Sequence, residues 1–168
     1  MILSSEIELI RGLLRQKQFK VANQRVAKLV RQFEQDPDVL LLKAECDYKE
    51  ENLPEAQDYA ERACHLHGDP WPEAHALLGK IYGKQSLIPQ ALESLKKALE
   101  QGWDESITHL AYGRLLMDLG DMRTAHKHLF RAWEKDSDAI ELGTNLLFAT
   151  MATPGMTDVH RANLFRAW

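Results

Sequence analysis

The clearest helical pattern in this chain of 168 residues is the stretch Ala74-His75-Ala76-Leu77-Leu78-Gly79-Lys80-Ile81-Tyr82, which is followed by Ala91, Leu95 and Ala98. Apolar and small residues recur in both segments at the spacing of an amphipathic α-helix. A short break at Gln85-Ser86 separates the two segments. The pattern therefore predicts two consecutive helices joined by a tight turn.

The same pattern recurs along the chain at a nearly constant period. Ala22, Ala56, Ala91 and Ala125 occupy matching places, with spacings of 34, 35 and 34 residues. One hairpin of this kind cannot bury its apolar face alone, so neighbouring hairpins must stack to make a continuous core. We therefore expect ten helices in five hairpins, at residues 3–36, 37–69, 70–103, 104–137 and 138–168.

The quoted stretch resembles the tetratricopeptide repeat family, and the segments 52–56 and 120–125 resemble the family's turn into its second helix. The resemblance covers almost the whole chain. It implies an all-α fold, a right-handed superhelical solenoid of about five helix-turn-helix repeats that forms a single tetratricopeptide repeat domain over residues 1–168. The first repeat departs from the family pattern, since Ile10 and Leu29 stand where small residues are usual.

Composition excludes several functional classes. With 21 Lys and Arg against 25 Asp and Glu, the formal net charge is −4, which is not that of a strongly basic nucleic-acid binder. The two cysteines, Cys46 and Cys64, are too few for a disulfide framework and lack the spacing of metal ligands. Neither a secretory signal nor a long apolar stretch is evident. The sequence thus predicts a cytoplasmic protein that does not insert into membranes.

No motif of a catalytic, cofactor or metal centre stands out, so we expect a non-enzymatic protein without cofactor or metal. The pairs His65/His67 and His126/His128 have a spacing that points their rings to opposite sides of a helix. His75 and His109 occupy equivalent places in adjacent first helices. We expect them to line the packing between helices as neutral, hydrogen-bonded rings. At the helix starts, the residues expected to cap the free amides are Asn52, Asp69, Asp104 and Asp121.

The resemblance also implies where a partner binds, because the first helices of such repeats line the concave face of the superhelix. The groove-facing positions hold cations beside apolar side chains, which fits a protein or peptide partner with acidic side chains and apolar anchors. The candidate partner-binding residues are Ile7, Arg11, Leu14, Arg15, Leu41, Tyr48, Lys49, Lys80, Lys84, Leu110, Arg114, Met117, Phe148 and Met151. The acidic residues Glu45 and Glu73 share this predicted face.

The sequence leaves other functions open. It stops at Trp168 within a repeated Leu-Phe-Arg-Ala-Trp segment without a polar cap, which favours a piece of a longer chain or self-association through the last helix. One alternative function is the N-terminal module of a larger enzyme, such as a glycosyltransferase or sulfotransferase. Another is an oligomeric assembly or chaperone subunit of a secretion or pilus-type system.

Overall fold

The structure, a computed structural model, describes residues 2–136, 140–153 and 155. Within these residues the chain forms nine α-helices and no strand, which confirms the predicted all-α fold. The tenth predicted helix, which would complete the fifth hairpin, lies outside the described residues. The chain divides into two compact units, Met1–Gln101 and Gly102–Trp168.

The first unit contains three hairpins. Each helix packs against the next one along the chain, and the first helices also contact one another, α1 with α3 and α3 with α5. The helices are α1 (Ile2–Arg15), α2 (Phe19–Gln32), α3 (Pro37–Lys49), α4 (Leu53–His67), α5 (Pro72–Lys84) and α6 (Ile88–Glu100).

Two apolar clusters hold this unit together, and α3 belongs to both. Val39 and Leu42 pack with side chains of α1 and α2, whereas Leu40 and Leu41 pack with side chains of α4 and α5. A helix that is apolar on more than one side must be covered on each of those sides. The sequence of α3 therefore fixes its place between two neighbours.

The second unit contains α7 (Ser106–Asp118), α8 (Met122–Lys135) and α9 (Ile140–Ala152), which all contact one another. Its apolar cluster joins Leu110 and Leu129 to Leu142 and Leu146. The hydroxyl of Thr153 donates to the Ala149 carbonyl at 2.6 Å and lies 3.2 Å from the Met122 carbonyl, so the end of α9 lies beside the start of α8.

Within two hairpins, the helices approach so closely that one position has no room for a side chain. A Cβ atom added to Gly79 would lie 2.4 Å from Cγ of Leu95, and one added to Gly113 would lie 2.8 Å from Cγ of Leu129. Both leucines are fully buried. Glycine at these two positions therefore lets the two helices of each hairpin approach closely.

Each of the four described hairpin turns uses the same backbone geometry. The first helix ends in a Schellman motif, for example with the Leu87 amide donating to the Tyr82 carbonyl at 2.9 Å and the Ser86 amide to the Gly83 carbonyl at 3.1 Å. The residue two positions before the second helix has a positive φ, and the four residues with this conformation are Lys17 (59°), Glu51 (65°), Ser86 (61°) and Gly120 (81°). Only the fourth of these turns has the glycine that this conformation favours.

A buried polar network joins α2 to α3. The Asp47 carboxylate is 1% exposed and accepts from the Lys43 ammonium at 2.5 Å and from the Asn23 side-chain amide at 3.1 Å. The ammonium of Lys43 also lies 5.2 Å from the ring centre of Tyr59, on α4. A buried carboxylate needs such partners to compensate for lost hydration.

The helix starts confirm part of the predicted capping. Asp121 accepts from the Thr124 amide at 3.1 Å, as predicted, whereas the side chain of Asn52 makes no capping hydrogen bond. Asp69 and Asp104 are wrong as caps, because α5 begins after Trp71 and α7 after Glu105. Asp36, which was not among the predicted caps, accepts from the Val39 amide at 3.1 Å.

We expect Gly79→Ala to lower the free energy of unfolding by about 1–2 kcal/mol, because crowding against Leu95 outweighs the gain in helix propensity. Gly12→Ala is the matched control, since an added Cβ there has nothing within 4 Å and should stabilise α1 by up to about 1 kcal/mol. Urea unfolding followed by circular dichroism measures both changes. Equal effects of the two substitutions would contradict the close approach.

We expect Ser86→Gly to raise the free energy of unfolding by about 0.5–1 kcal/mol, because it relieves the left-handed conformation of a residue with a Cβ. The reverse change at the equivalent turn, Gly120→Ser, should lower it by a similar amount. Thermal unfolding of the two variants in parallel tests the pair. A loss of stability in both would show that the side chain of Ser86 contributes more than the strain costs.

Candidate functional site

The first helices of the first unit enclose a cavity on the face that the sequence analysis assigned to a partner. Its volume is about 330 Å³. Four of its lining residues, Arg11, Leu14, Arg15 and Lys49, belong to the predicted partner-binding set. The remaining two, Glu45 and Glu73, had been placed on the same face. We call this space the α1–α3–α5 cavity.

One side of the cavity is acidic. Arg11 forms long ion pairs there, at 3.6 Å with Glu8 and 3.8 Å with Glu73. Burial raises the pKa of Glu73, and the neighbouring carboxylates Glu45 and Asp38 raise it further, while Arg11 opposes the shift. The charge of Arg11 is therefore already shared with carboxylates of the protein.

The other side of the cavity is basic. Arg15 and Lys49 are both exposed, and neither forms an ion pair with a carboxylate in the part of the chain that the structure describes. The Lys49 ammonium lies 5.8 Å from the ring centre of Tyr48. An incoming carboxylate would meet two cations here that are not already paired.

Tyr48 extends this basic side toward the third hairpin. The Lys84 ammonium lies 5.0 Å from the ring centre of Tyr48 and donates to the Glu51 carboxylate at 2.8 Å. This hydrogen bond raises the pKa of Lys84 and lowers that of Glu51. Burial raises the pKa of Tyr48, which keeps its hydroxyl protonated at neutral pH. Tyr48 is thus an aromatic platform flanked by two cations.

In the second unit the predicted face is mainly apolar. Phe148 and Met151 on α9 are 57% and 62% exposed, and Ile107 on α7 is 53% exposed. Met117 packs partly against the apolar cluster, and Arg114 is exposed beside these side chains on α7. Exposed apolar side chains on neighbouring helices are a common feature of interaction surfaces.

Three predicted binding residues are buried, and one of them, Leu14, is 7% exposed and lines the cavity. Leu41 is 5% exposed and Leu110 is 7% exposed, and both belong to apolar clusters between helices. Because Leu41 and Leu110 are buried, their predicted place on the partner-binding face is wrong. Ile7 and Lys80 are half-buried, and Ile7 packs against the apolar cluster of the first hairpin.

The two equivalent histidines are buried and hydrogen-bonded, as predicted. His75 Nε2 lies 2.6 Å from a carboxylate oxygen of Asp69, and His109 Nε2 lies 2.7 Å from one of Asp104. The hydrogen bond from His75 lowers the pKa of Asp69. This pairing was not predicted, although each aspartate stands five or six residues before its histidine.

Asp104 has further partners on α8. Lys135 donates to it at 2.8 Å and Arg131 at 3.2 Å. The contact with Lys135, followed by that with His109, lowers the pKa of Asp104 strongly. The second ring nitrogen of His109, Nδ1, lies 2.9 Å from Nδ1 of His128. No local sequence pattern predicts this contact, because residues 19 positions apart meet only once the hairpin closes.

Both cysteines are free thiols in poorly solvated places. Burial raises the pKa of Cys46 to about 12 and that of Cys64 to about 11. Neither forms a reactive thiolate at neutral pH. Among the residues that the structure describes, there is no group of three or more side chains that could hold a metal ion.

Over the same described ranges, none of the helices is both long and apolar enough to cross a membrane.

Comparison with known proteins agrees with the repeat architecture. Residues 13–81 match the family model for the tetratricopeptide repeat. Among curated proteins, no sequence matches this chain.

Solved structures share the fold at low sequence identity. A chain from the crystal structure of the APC/C hetero-tetramer Cut9-Hcn1 is 19% identical, with a TM-score of 0.77 over 86% of this chain and 29% of that one. The present chain therefore spans less than a third of that protein. The Thermus thermophilus protein TTC0263, a thermophilic TPR protein, is 17% identical, with a TM-score of 0.72 over 98% of this chain and 97% of that one.

A third structure is that of YrrB, described as a TPR protein with an unusual peptide-binding site. It is 16% identical, with a TM-score of 0.69 over 96% of this chain and 82% of that one. Residues 13–81 are thus similar to the tetratricopeptide repeat family, and the chain shares the helical-hairpin fold of these solved structures.

Proposed function

We propose that this protein is a non-catalytic scaffold that binds a peptide or helix of another protein on the faces of its first helices. In the first unit, acidic side chains of a partner enter the α1–α3–α5 cavity. The second unit, taken by itself, offers its exposed apolar face on α7 and α9 to apolar side chains of a partner. The observation that carries this proposal is the cavity of about 330 Å³ with Arg15 and Lys49 on its basic side.

The acidic character of the partner follows from the charges around this cavity. Arg11 is compensated by Glu8 and Glu73, so the additional positive charge comes from Arg15 and Lys49. An acidic side chain that reaches these two cations forms charge-assisted hydrogen bonds in a partly enclosed space. The carboxylates Glu45 and Glu73 on the opposite side would repel it, which restricts how the partner can lie.

The apolar character of the partner rests on the second unit. Ile107, Phe148 and Met151 expose more than half of their surface, and methionine adapts to differently shaped partners. Burial of such side chains supplies affinity, while charge pairs supply orientation and rate of association. The peptide-binding site named for YrrB shows that a related fold can bind a peptide, and that property belongs to YrrB.

A displayed library of random peptides tests the chemical character of the partner directly. We expect the selected peptides to be enriched in Asp or Glu together with Leu, Met or Phe. Selection of basic peptides, or of peptides without charge preference, would argue against an acidic partner.

We expect the double variant Arg15→Glu/Lys49→Glu to bind a selected acidic peptide about tenfold more weakly or worse, because both attractive charges become repulsive. Fluorescence anisotropy with the labelled peptide measures the affinity. The control Lys20→Glu/Lys28→Glu changes two exposed cations of α2 and alters the net charge equally. Equal losses in the two double variants would indicate only a general effect of net charge.

The apolar part of the proposal has its own pair of variants. We expect Phe148→Gln/Met151→Gln to weaken binding of a selected peptide rich in Leu, Met or Phe about tenfold, since two apolar contacts of α9 are lost. Val21→Gln/Leu66→Gln removes two apolar side chains that are each 45% exposed on second helices, and it should leave the affinity unchanged. An unchanged affinity for the α9 variant, with its circular dichroism intact, would remove α9 from the binding surface.

A further inference from the structure

Two histidines meet between α7 and α8. Nδ1 of His109 lies 2.9 Å from Nδ1 of His128, and Nε2 of His109 lies 2.7 Å from a carboxylate oxygen of Asp104. The ring centres of the two histidines are 5.2 Å apart, and the ring of Tyr112 meets that of His128 edge-on at 4.8 Å. His109 is 8% exposed and His128 is half-buried.

The position of Asp104 determines where the protons lie. An ionised carboxylate only accepts, so Nε2 of His109 must donate to it. In neutral His109 the other nitrogen, Nδ1, then carries a lone pair, and Nδ1 of His128 donates to it. One extra proton on the pair still leaves a single hydrogen between the two Nδ1 atoms. A second extra proton places an N–H on both, and the two donors then face each other.

The charged groups around the pair are unevenly distributed. Asp104 supplies negative charge and keeps it in acid, because Lys135 and His109 lower its pKa. On α8 the cations Lys127, Arg131 and Lys135 lie near the pair or near Asp104. Tyr112 on α7 is the titratable group in ring contact with His128. On α9, the side chains that the structure describes, from Leu142 to Ala152, contain no titratable group.

We propose that the His109–His128 contact is an acid-released latch that holds α7 against α8. The closed hairpin accommodates one extra proton at the pair, whereas the opened hairpin, with both rings in water, binds two. The latch therefore weakens as the pH falls below the ordinary histidine pKa of about 6.5.

The direction in which the pKa of His128 is shifted agrees with this mechanism. Burial lowers it first, and the charges of His109 and Lys127 lower it further. A histidine whose pKa is lower in the folded state than in the unfolded state makes its full contribution to folding stability at pH values above the unfolded-state pKa. That contribution is lost as the pH falls from the unfolded pKa toward the folded one.

The third hairpin provides an internal comparison. His75 pairs with Asp69 at 2.6 Å, just as His109 pairs with Asp104. The residue equivalent to His128 in α6 is Ser94, so no second imidazole faces His75 from that position. The α5–α6 hairpin has the histidine–aspartate pair without the facing histidine, and it should lack the acid response.

Hydrogen–deuterium exchange of the full chain tests the latch at about pH 7.5 and about pH 5, on either side of the histidine pKa. The exchange rates of the backbone amides are first corrected for their intrinsic pH dependence. The quantity compared is the ratio of the protection factors of α7–α8 to those of α5–α6. We expect this ratio to fall about tenfold or more in acid. A ratio that stays constant between the two pH values would overturn the proposal.

The variant His128→Gln keeps a donor toward His109 but cannot be protonated, so its ratio should stay constant with pH. His128→Ser copies Ser94 and provides a second non-titrating variant if the glutamine perturbs packing. His126→Ser, two positions away on α8, is the matched control and should retain the acid response. Persistence of the response in both His128 variants, or its loss in the His126 variant, would also overturn the latch.

Discussion

Two hairpins of this protein depend on how closely their two helices can approach. In the third and fourth hairpins the approach is limited by Leu95 and Leu129, which occupy the space that a side chain on Gly79 or Gly113 would need. This contact fixes the distance between a first helix and its second helix. Once that distance is set, the remaining apolar residues have defined neighbours, and the first helices α1, α3 and α5 can contact one another directly. The cavity lined by Arg15 and Lys49 exists because those three helices lie side by side.

The helix packing determines which charged side chains lie next to one another. Within the first unit, the acidic side chains Glu45 and Glu73 and the cations Arg15 and Lys49 line one cavity, although the chain as a whole is only mildly acidic. The second unit instead exposes the apolar side chains Ile107, Phe148 and Met151, together with Arg114. The same repeat therefore presents different chemistry from one hairpin to the next, because the positions facing away from the core are free to vary while the core positions are not.

The fold could be predicted from the sequence because the period of the small residues reports directly on helix packing. Helical spacing also fixes which residues share a side of a helix, and four residues of the predicted face line one cavity. Leu41 and Leu110 show where this reasoning fails. Helical spacing alone does not reveal how far a neighbouring helix covers an apolar side chain. Contacts between distant residues, such as His109 with His128 or Asp47 with Asn23, depend on side-chain geometry that no local pattern encodes.

The turn at Glu51 has a consequence for any redesign of this protein. Its backbone is left-handed, and its carboxylate at the same time accepts from Lys84 of the next hairpin. Glycine at this position would relax the turn but remove an ionic link between two hairpins, whereas at Ser86 no such link is lost. Replacing every turn by the consensus glycine would thus make each repeat more stable by itself while loosening one junction between repeats. A uniform consensus sequence and a cooperative array are different design goals in this chain.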